Sequence, residues 1–422
     1  MVEREVIRRI IIEGQEFVNE ISLTERPFFF EQKGNYVFVG IRQAGKSYLL
    51  YQRIQQLLRE EHNINEIVYI NFDDERLRQM TADDLDLILQ AYHSLFDLRP
   101  LLFFDEIQNI EGWEHFARRL ANQKYNIYIT GSNAKMLSRE IATTLGGRFW
   151  NKDVYPYSFA EYLNARNIIL SKNWMYGKQA AEVSKAFNDY FLYGGFPELT
   201  DVIAKRVWLN DIYSKIFFSD LIVRNKVRNE EALGLLVRRL AENVKQPVSY
   251  TRLANLISSI GIKISKATVI EFIRYLKESC LIFPIENYAA KFAERNSNMK
   301  HYFIDNGLLS IFLLDGNTSL LENIVAIHLY KRYGAQLHFY NQNIEVDFII
   351  PEAKTAIQVS YSLMDETTCR REVEGLIKLN RVFPMDNMCI ITRDEERIIT
   401  HESGVSIPVS YTHLTLPTNS RV

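Results

Sequence analysis

The sequence predicts an α/β protein of several domains. A parallel sheet with an N-terminal helix is expected over residues 1–156 and a helical segment over 157–229. Helix-turn-helix with a strand pair follows over 230–310, then a small α/β domain over 319–409. Three observations predict this. First, 422 residues exceed what one hydrophobic core organises. Second, short apolar runs at 36–39, 67–72, 101–104 and 126–130 alternate with amphipathic stretches at 46–61, 82–96 and 112–122, the pattern of a buried parallel sheet. Third, the chain from about Ser319 reads as helix, three strands, helix and strand.

The element order begins with a charged, amphipathic helix over 1–27, ending at Arg26-Pro27. That stretch mixes Glu and Arg through its apolar residues and so is no signal peptide. With 47% apolar and 24% charged residues the chain has the composition of a globular protein, not of a disordered one. Fifty basic and 52 acidic side chains leave a formal charge of −2, so binding to nucleic acid needs a local patch rather than a global field. Cys280, Cys369 and Cys389 lie far apart and in no metal-ligand spacing, as reduced thiols do. No run approaches the ~20 apolar residues of a membrane span. A cytoplasmic protein without a membrane partner is expected.

The run from Gly40 to Ser47, with Gly45 and Lys46, satisfies the spacing G-x4-G-K-[ST] between an apolar strand and an amphipathic helix. Glycines let the backbone curl with its amide hydrogens inward. Lys46 reaches terminal phosphates, the Ser47 hydroxyl ligates Mg2+, and the helix start directs its positive end at the anion. Gly40, Arg42, Ala44, Gly45, Lys46, Ser47 and Tyr48 are thus the expected ATP contacts. A second element is the apolar strand that ends in Asp105-Glu106. Side chains alternate along a strand, so Asp105 is assigned to Mg2+ beside Ser47, and Glu106 to polarising the attacking water. The next apolar run ends in Thr130-Gly131-Ser132-Asn133, which offers Ser132 or Asn133 as the polar group facing the γ-phosphate or that water. Arg148 is the first choice for neutralising transition-state charge and Arg42 the second.

This P-loop arrangement, with a glutamate beside the magnesium aspartate and a polar residue closing the next strand, resembles the AAA and related ATPases. Further motifs sharpen the resemblance. They are Asp105-Glu106-Ile107-Gln108, Gly147-Arg148, Tyr155-Pro156-Tyr157-Ser158-Phe159, Gly194-Gly195-Phe196-Pro197-Glu198, Asp305-Asn306-Gly307-Leu308, Glu322-Asn323-Ile324-Val325 and Glu345-Val346-Asp347-Phe348. Together they resemble a prokaryotic family of AAA-type ATPases carrying a C-terminal domain of unknown function, number 4143. The resemblance spans about residues 30–400 and implies ATP binding and hydrolysis, with the partner left open.

Two later segments bear on that partner. Residues 249–258, a break at Ile260-Gly261 and residues 265–279 read as helix, turn, helix, with Ser265 as N-cap and Val269, Phe272, Ile273, Leu276 and Cys280 as the apolar stripe. Strands at 281–288 and 301–304 around a basic stretch complete a winged-helix pattern. Lys266, Arg274 and Lys277 then face DNA phosphates, or are solvated cations on a packing module. In the last domain Glu322, Glu345, Asp347, Gln358 and Ser360 resemble the restriction-endonuclease-like arrangement Asp…(Asp/Glu)-x-Lys. Gln358 stands where an acid is usual and Ser360 where the lysine is needed, so an intact fold without hydrolytic chemistry is expected. The turn-rich end, 410–422, reads as a non-native tail.

Three functions are therefore open. The first is an ATPase that couples nucleotide state to domain motion on a partner, the second an ATP-switched DNA-binding regulator, and the third an ATP-dependent nuclease. A nucleotide-binding scaffold with little basal turnover, and assembly with further copies of the chain, fit the same residues.

Overall fold

The computed structural model describes residues 2–132, 136, 139–291 and 297–411. The chain divides into two units, Met1–Tyr155 with Glu278–Cys280, and Pro156–Lys277 with Leu281–Val422.

In the first unit, helix α1 (Arg4–Glu20) buries Ile7, Ile10, Ile11 and Val18. It stops well short of Arg26, because the apolar period lapses after Val18 and Ile21 turns extended. The freed stretch does other work: the Arg26 amide donates to Gln52 Oε1 at 2.9 Å while Gln52 Nε2 donates back to the Arg26 carbonyl at 2.9 Å. Strands and helices then alternate: β1 (Asn35–Val39), α2 (Lys46–Arg59), β2 (Ile67–Asn71), α3 (Asp86–His93), β3 (Leu101–Asp105), α4 (Trp113–Asn122), β4 (Ile127–Gly131), α5 (Arg139–Leu145) and β5 (Phe149–Asp153). All pairings are parallel, in the order β2-β3-β4-β1-β5.

Strand β4 therefore lies between the two strands that carry the sequence motifs, with Tyr128 opposite both Tyr36 and Phe103. On one sheet face these rings stack, Phe103–Tyr128 at 4.7 Å and Tyr36–Tyr128 at 5.8 Å between centroids. Such buried aromatic stacking fixes the strands' register and so the height of their C-terminal ends. Strand β5 escapes the periodicity because it is a half-exposed edge (Trp150 is 56% exposed), and half-exposed edges lack an apolar run.

The second unit begins with α6 (Phe159–Ala165), α7 (Lys178–Tyr193), α8 (Lys205–Lys215), a π-helical turn at Ile216–Val223 and α9 (Glu230–Glu242). Next come β6 (Val248–Ser249), α10 (Tyr250–Ser258), α11 (Lys266–Glu278), β7 (Ile282–Asn287), β8 (Asn298–Phe303), α12 (Asn306–Ser310) and α13 (Asn317–Tyr333). The last elements are β9 (His338–Asn341), β10 (Glu345–Ile350), β11 (Thr355–Val359), α14 (Glu366–Val382), β12 (Asn387–Thr392), β13 (Arg397–Thr400) and β14 (Ser406–Tyr411). Their strands form one mixed sheet, β13-β14-β12-β11-β10-β9-β7-β8-β6, in which β9 pairs in parallel with β7. Ser410 and Tyr411, expected in a foreign tail, extend β14 opposite Ile391 and Thr392, where they continue its ladder. Residues 412–422 lie outside the described residues.

Three of the recurring motifs converge in this unit. Asp305, fully buried, accepts from the Gly195, Gly307 and Leu308 amides at 2.7, 2.8 and 3.3 Å. Asn323 closes the same knot by bonding both backbone groups of Phe303 and the Asn306 side chain. The glycines are steric necessities: a Cβ on Gly307 meets the Tyr193 carbonyl at 2.1 Å, and one on Gly194 meets the Asp305 carboxylate at 2.0 Å. These motifs therefore encode packing.

Gly307→Ala should cost about 1–3 kcal/mol through overpacking. Asp305→Ala, which strands three buried amides, should cost at least about 3 kcal/mol, at roughly 1–3 for each unsatisfied group. Thermal unfolding of the two variants beside a surface control such as Glu366→Ala checks the ranking.

Candidate functional site

The loop after β1 is shaped by close approach and left-handed backbone. Gly40 donates to the Gly131 carbonyl at 3.4 Å, and any Cβ there meets the Val154 carbonyl at 2.0 Å. Gln43 and Gly45 take φ of 61° and 89°, and Gly45 caps α2, so the helix's free amides open onto the loop. Ala44 is fully buried, and Arg26 braces the loop by donating to the Ala44 carbonyl at 3.2 Å and to the Tyr155 carbonyl at 3.1 Å. Arg26 is a positioning residue that no spacing rule reveals, since its partners lie 18 and 129 residues away.

Lys46 is buried, and its ammonium donates to the Ile41 carbonyl at 3.1 Å and lies 3.5 Å from Glu106 Oε1. The charge thus points into the curl of the loop, held by one carbonyl and one carboxylate. Ser47 hydrogen-bonds to the Asp105 carboxyl across the sheet. Asp105 is almost fully buried and also accepts from Tyr69, at 2.8 Å, and from Thr130. Burial and the neighbouring Glu106 charge push its pKa up, against the three hydroxyls that pull it down. Tyr69 and Thr130 are further residues whose role sequence reasoning missed; only their place on β2 and β4, the strands flanking β3, signals them.

Glu106 leaves the strand with φ 52°, which turns its carboxylate toward Lys46, and its amide donates to Thr130 Oγ1 at 2.9 Å. Burial raises its pKa. Lys46, hydrogen bonds from Gln108 and Ser132, and the Arg42 charge outweigh that and hold it below the ordinary value. Glu106 is therefore a carboxylate at neutral pH, beside an acid whose protonation is pushed the opposite way. Gln108 spans the gap, with Nε2 donating to Glu106 and lying 3.3 Å from Ser132 Oγ.

Among the sequence-predicted residues, Gly40, Arg42, Ala44, Gly45, Lys46, Ser47, Asp105, Glu106 and Ser132 come together. Tyr48 follows them on α2 with its ring half exposed, edge-on to Tyr51. Arg148 does not join the group within the chain. It precedes β5, beside Asn35 at the start of β1, whereas the loop follows the end of β1, roughly 15 Å of strand away. Its guanidinium is exposed and donates to the Gly146 carbonyl at 3.0 Å. Asn133 lies outside the described residues.

Chemically, the inward amides and one ammonium form an anion site, and Ser47 with Asp105 presents two hard oxygen donors beside it. That pair suits Mg2+, which takes few protein ligands and completes its shell with water and phosphate oxygens. Among the described residues no three His, Cys, Asp or Glu side chains are grouped so as to hold a metal ion.

A family model described as "AAA domain" matches residues 32–163, and one described as "Domain of unknown function (DUF8612)" matches 184–319. The second is a different domain from the number 4143 that the motifs suggest. The "Uncharacterized protein MJ1544" of Methanocaldococcus jannaschii is 32% identical over 410 residues, covering 94% of this chain and 91% of that protein. An "Uncharacterized protein" of Haemophilus influenzae is 30% identical over 354 residues, covering 81% of this chain and 86% of that one. Among solved structures, the Walker-type ATPase PABY2304 of Pyrococcus abyssi aligns at 14% identity and a TM-score of 0.42 over 74% of this chain and 96% of that one.

The raised pKa of Asp105 has a stability consequence. A carboxyl whose folded pKa exceeds its unfolded value favours folding at low pH, and that contribution is lost as pH rises above about 4. Asp105→Asn should therefore unfold at a higher temperature than wild type at pH 7.5, with the gap closing toward pH 4. A lower midpoint at pH 7.5 contradicts this.

Proposed function

This chain belongs to the AAA-domain family that includes MJ1544, and we propose that it is a magnesium-dependent ATPase whose nucleotide site is the loop Gly40–Ser47 with Asp105 and Glu106. One observation carries the reading: the buried Lys46 ammonium faces Glu106, while Ser47 is bonded to Asp105 on a strand two places away. Gly40–Ser47 wraps the phosphates with its amides, and Lys46 neutralises the terminal ones. Ser47 and Asp105 hold Mg2+, which, once bound, offsets charge on the phosphate oxygens. Glu106, kept ionised, accepts a proton from water and orients it. Gln108 and Ser132 hold that carboxylate, and Arg42, whose charge Glu106 senses, is the nearer of the two arginine candidates.

Lys46 lies 3.5 Å from Glu106, so a phosphate held in the loop competes with Glu106 for the same ammonium, an exchange that frees the carboxylate for water. This exchange couples binding to activation, and domain motion on a partner is the output we assign to it. Arg148, at the far end of the strands, is suited to the site of a second copy, which favours turnover that rises with assembly.

A second reading, DNA binding, has its own support. The order α9, β6, α10, α11, β7, β8, with β7 antiparallel to β8 and β6 on its outer edge, supports a winged helix. Lys266, Ile270, Arg274 and Lys277 line an exposed face of α11 at helical spacing, although Arg274 lies 3.7 Å from Glu271. The last domain, with Ser360 in place of a lysine, does not favour the nuclease reading.

ATP turnover with and without DNA tests the proposal. Glu106→Gln should keep ATP binding and lower turnover about 10²-fold or more, the scale of a lost general base. Lys46→Ala should weaken ATP binding roughly 10- to 100-fold, from the ~1.5–3 kcal/mol of a hydrogen bond to a charged group. Unchanged turnover in Glu106→Gln removes it from the role. For DNA, Lys266→Ala and Arg274→Ala should each lower the slope of log affinity against log salt by about one; wild type that fails to bind DNA at ~50 mM salt rules the reading out.

A further inference from the structure

A second charged site lies in the second unit, far in sequence from the nucleotide loop. A cleft of about 570 Å³ opens between α13, β10, β11 and α14, lined by Glu322, Glu345, Asp347, Ser360, Arg371 and Glu372 among others. Of these, Glu322, Glu345, Asp347 and Ser360 belong to the pattern that resembles a divalent-cation site with its lysine replaced by Ser360. The structure brings in a lysine from elsewhere. Lys300, on β8, is fully buried, and its ammonium lies 3.2 Å from Glu322 Oε1, 3.2 Å from Asp347 Oδ1 and 3.7 Å from Glu345 Oε1. The ring of Phe339 sits 5.5 Å away.

The ammonium thus donates to two carboxylates, Glu322 and Asp347, and lies near a third, Glu345, the three coming from two elements. Two further donors hold the same carboxylates, one of them on the oxygen that Lys300 contacts. Tyr302 donates to Glu322 Oε1 at 2.7 Å, and the Val359 amide donates to Asp347 Oδ2 at 3.0 Å. Burial disfavours the lysine's charge, but the three carboxylates outweigh it and raise its pKa above the ordinary range. The cation is permanent. A divalent ion seeking the same oxygens must either expel a desolvated ammonium from its cage or sit beside it, within a few ångströms of like charge.

We propose that Lys300 is a built-in cation that takes the place of a metal ion among Glu322, Glu345 and Asp347, so that the cleft is closed to Mg2+ and Mn2+. The carboxylates then serve as an internal ion cage that ties β8, β10 and α13 together, and the cleft performs no metal-dependent phosphodiester hydrolysis. The ammonium cannot substitute for a metal in that reaction, because it is fully buried, donates to two carboxylates and exposes no face to a phosphate. This is independent of the nucleotide site and stands whether or not Lys46 binds ATP.

Calorimetric and paramagnetic-resonance titration of the nucleotide-free, full-length chain with Mn2+ tests it. Wild type should show no Mn2+ site that Asp347→Asn removes. Lys300→Met, which keeps the stem and deletes the charge, should gain one site at least tenfold tighter than any in wild type. That site should vanish in Lys300→Met/Asp347→Asn, and Mn2+ should raise the thermal midpoint of Lys300→Met alone. If Lys300→Met does not fold, Lys300→Gln carries the same comparison. A stoichiometric wild-type site lost in Asp347→Asn overturns the proposal, as does a folded Lys300 variant that gains none.

Discussion

The first unit depends on one constraint: the C-terminal ends of β1 and β3 must stand level, with β4 between them. Only then does Ser47, at the start of the helix after β1, reach Asp105 at the end of β3. The stack of Tyr36, Tyr128 and Phe103 across the three strands sets that register from below, and Tyr69 and Thr130 clasp Asp105 from the strands on either side. A buried carboxylate is costly to hold, and here the hydroxyls of Ser47, Tyr69 and Thr130 compensate it directly. That is the electrostatic state of a group prepared to meet a metal ion.

The neighbouring acid is prepared differently. Glu106 is ionised and paired with Lys46, with Gln108 and Ser132 as further props. Two adjacent carboxylates with pKa values driven in opposite directions can hold different roles within one site, and the left-handed kink at Glu106 is what turns them apart. The second unit handles a similar accumulation of acids by the opposite route. There Lys300 supplies positive charge from within the fold, at the centre of the carboxylates.

What was legible in the sequence was what is local along the chain. The glycine-bounded loop, its lysine and its serine lie within eight residues, and Asp105-Glu106 ends an unbroken apolar strand, so both read directly. The strands at 36–39, 67–72, 101–104 and 126–130 agree with β1 to β4 within a residue or two, because fully buried parallel strands write themselves as apolar runs. Edge strands do not: β5 and β13 carry mostly exposed side chains, and the inner strand β14 alternates over too few buried residues to register. Arg26, Tyr69, Thr130 and Gln108 act across strand neighbours, and Lys300 meets partners 22 and 47 residues away. Such contacts follow from topology, which composition and spacing do not encode. Helix α1 ends before Pro27 because the apolar period lapses after Val18, and the contact by which Gln52 captures the Arg26 backbone beyond it is hidden from the sequence.

The central claim is that Ser47 and Asp105 form a metal-binding pair serving the loop's nucleotide. The most direct measurement is the affinity of wild type, Ser47→Ala and Asp105→Asn for a fluorescent ATP analogue, with Mg2+ and with a chelator. On this account Mg2+ strengthens wild-type binding, and each substitution erases that increment while leaving metal-free affinity nearly intact. An increment that survives both substitutions would contradict it.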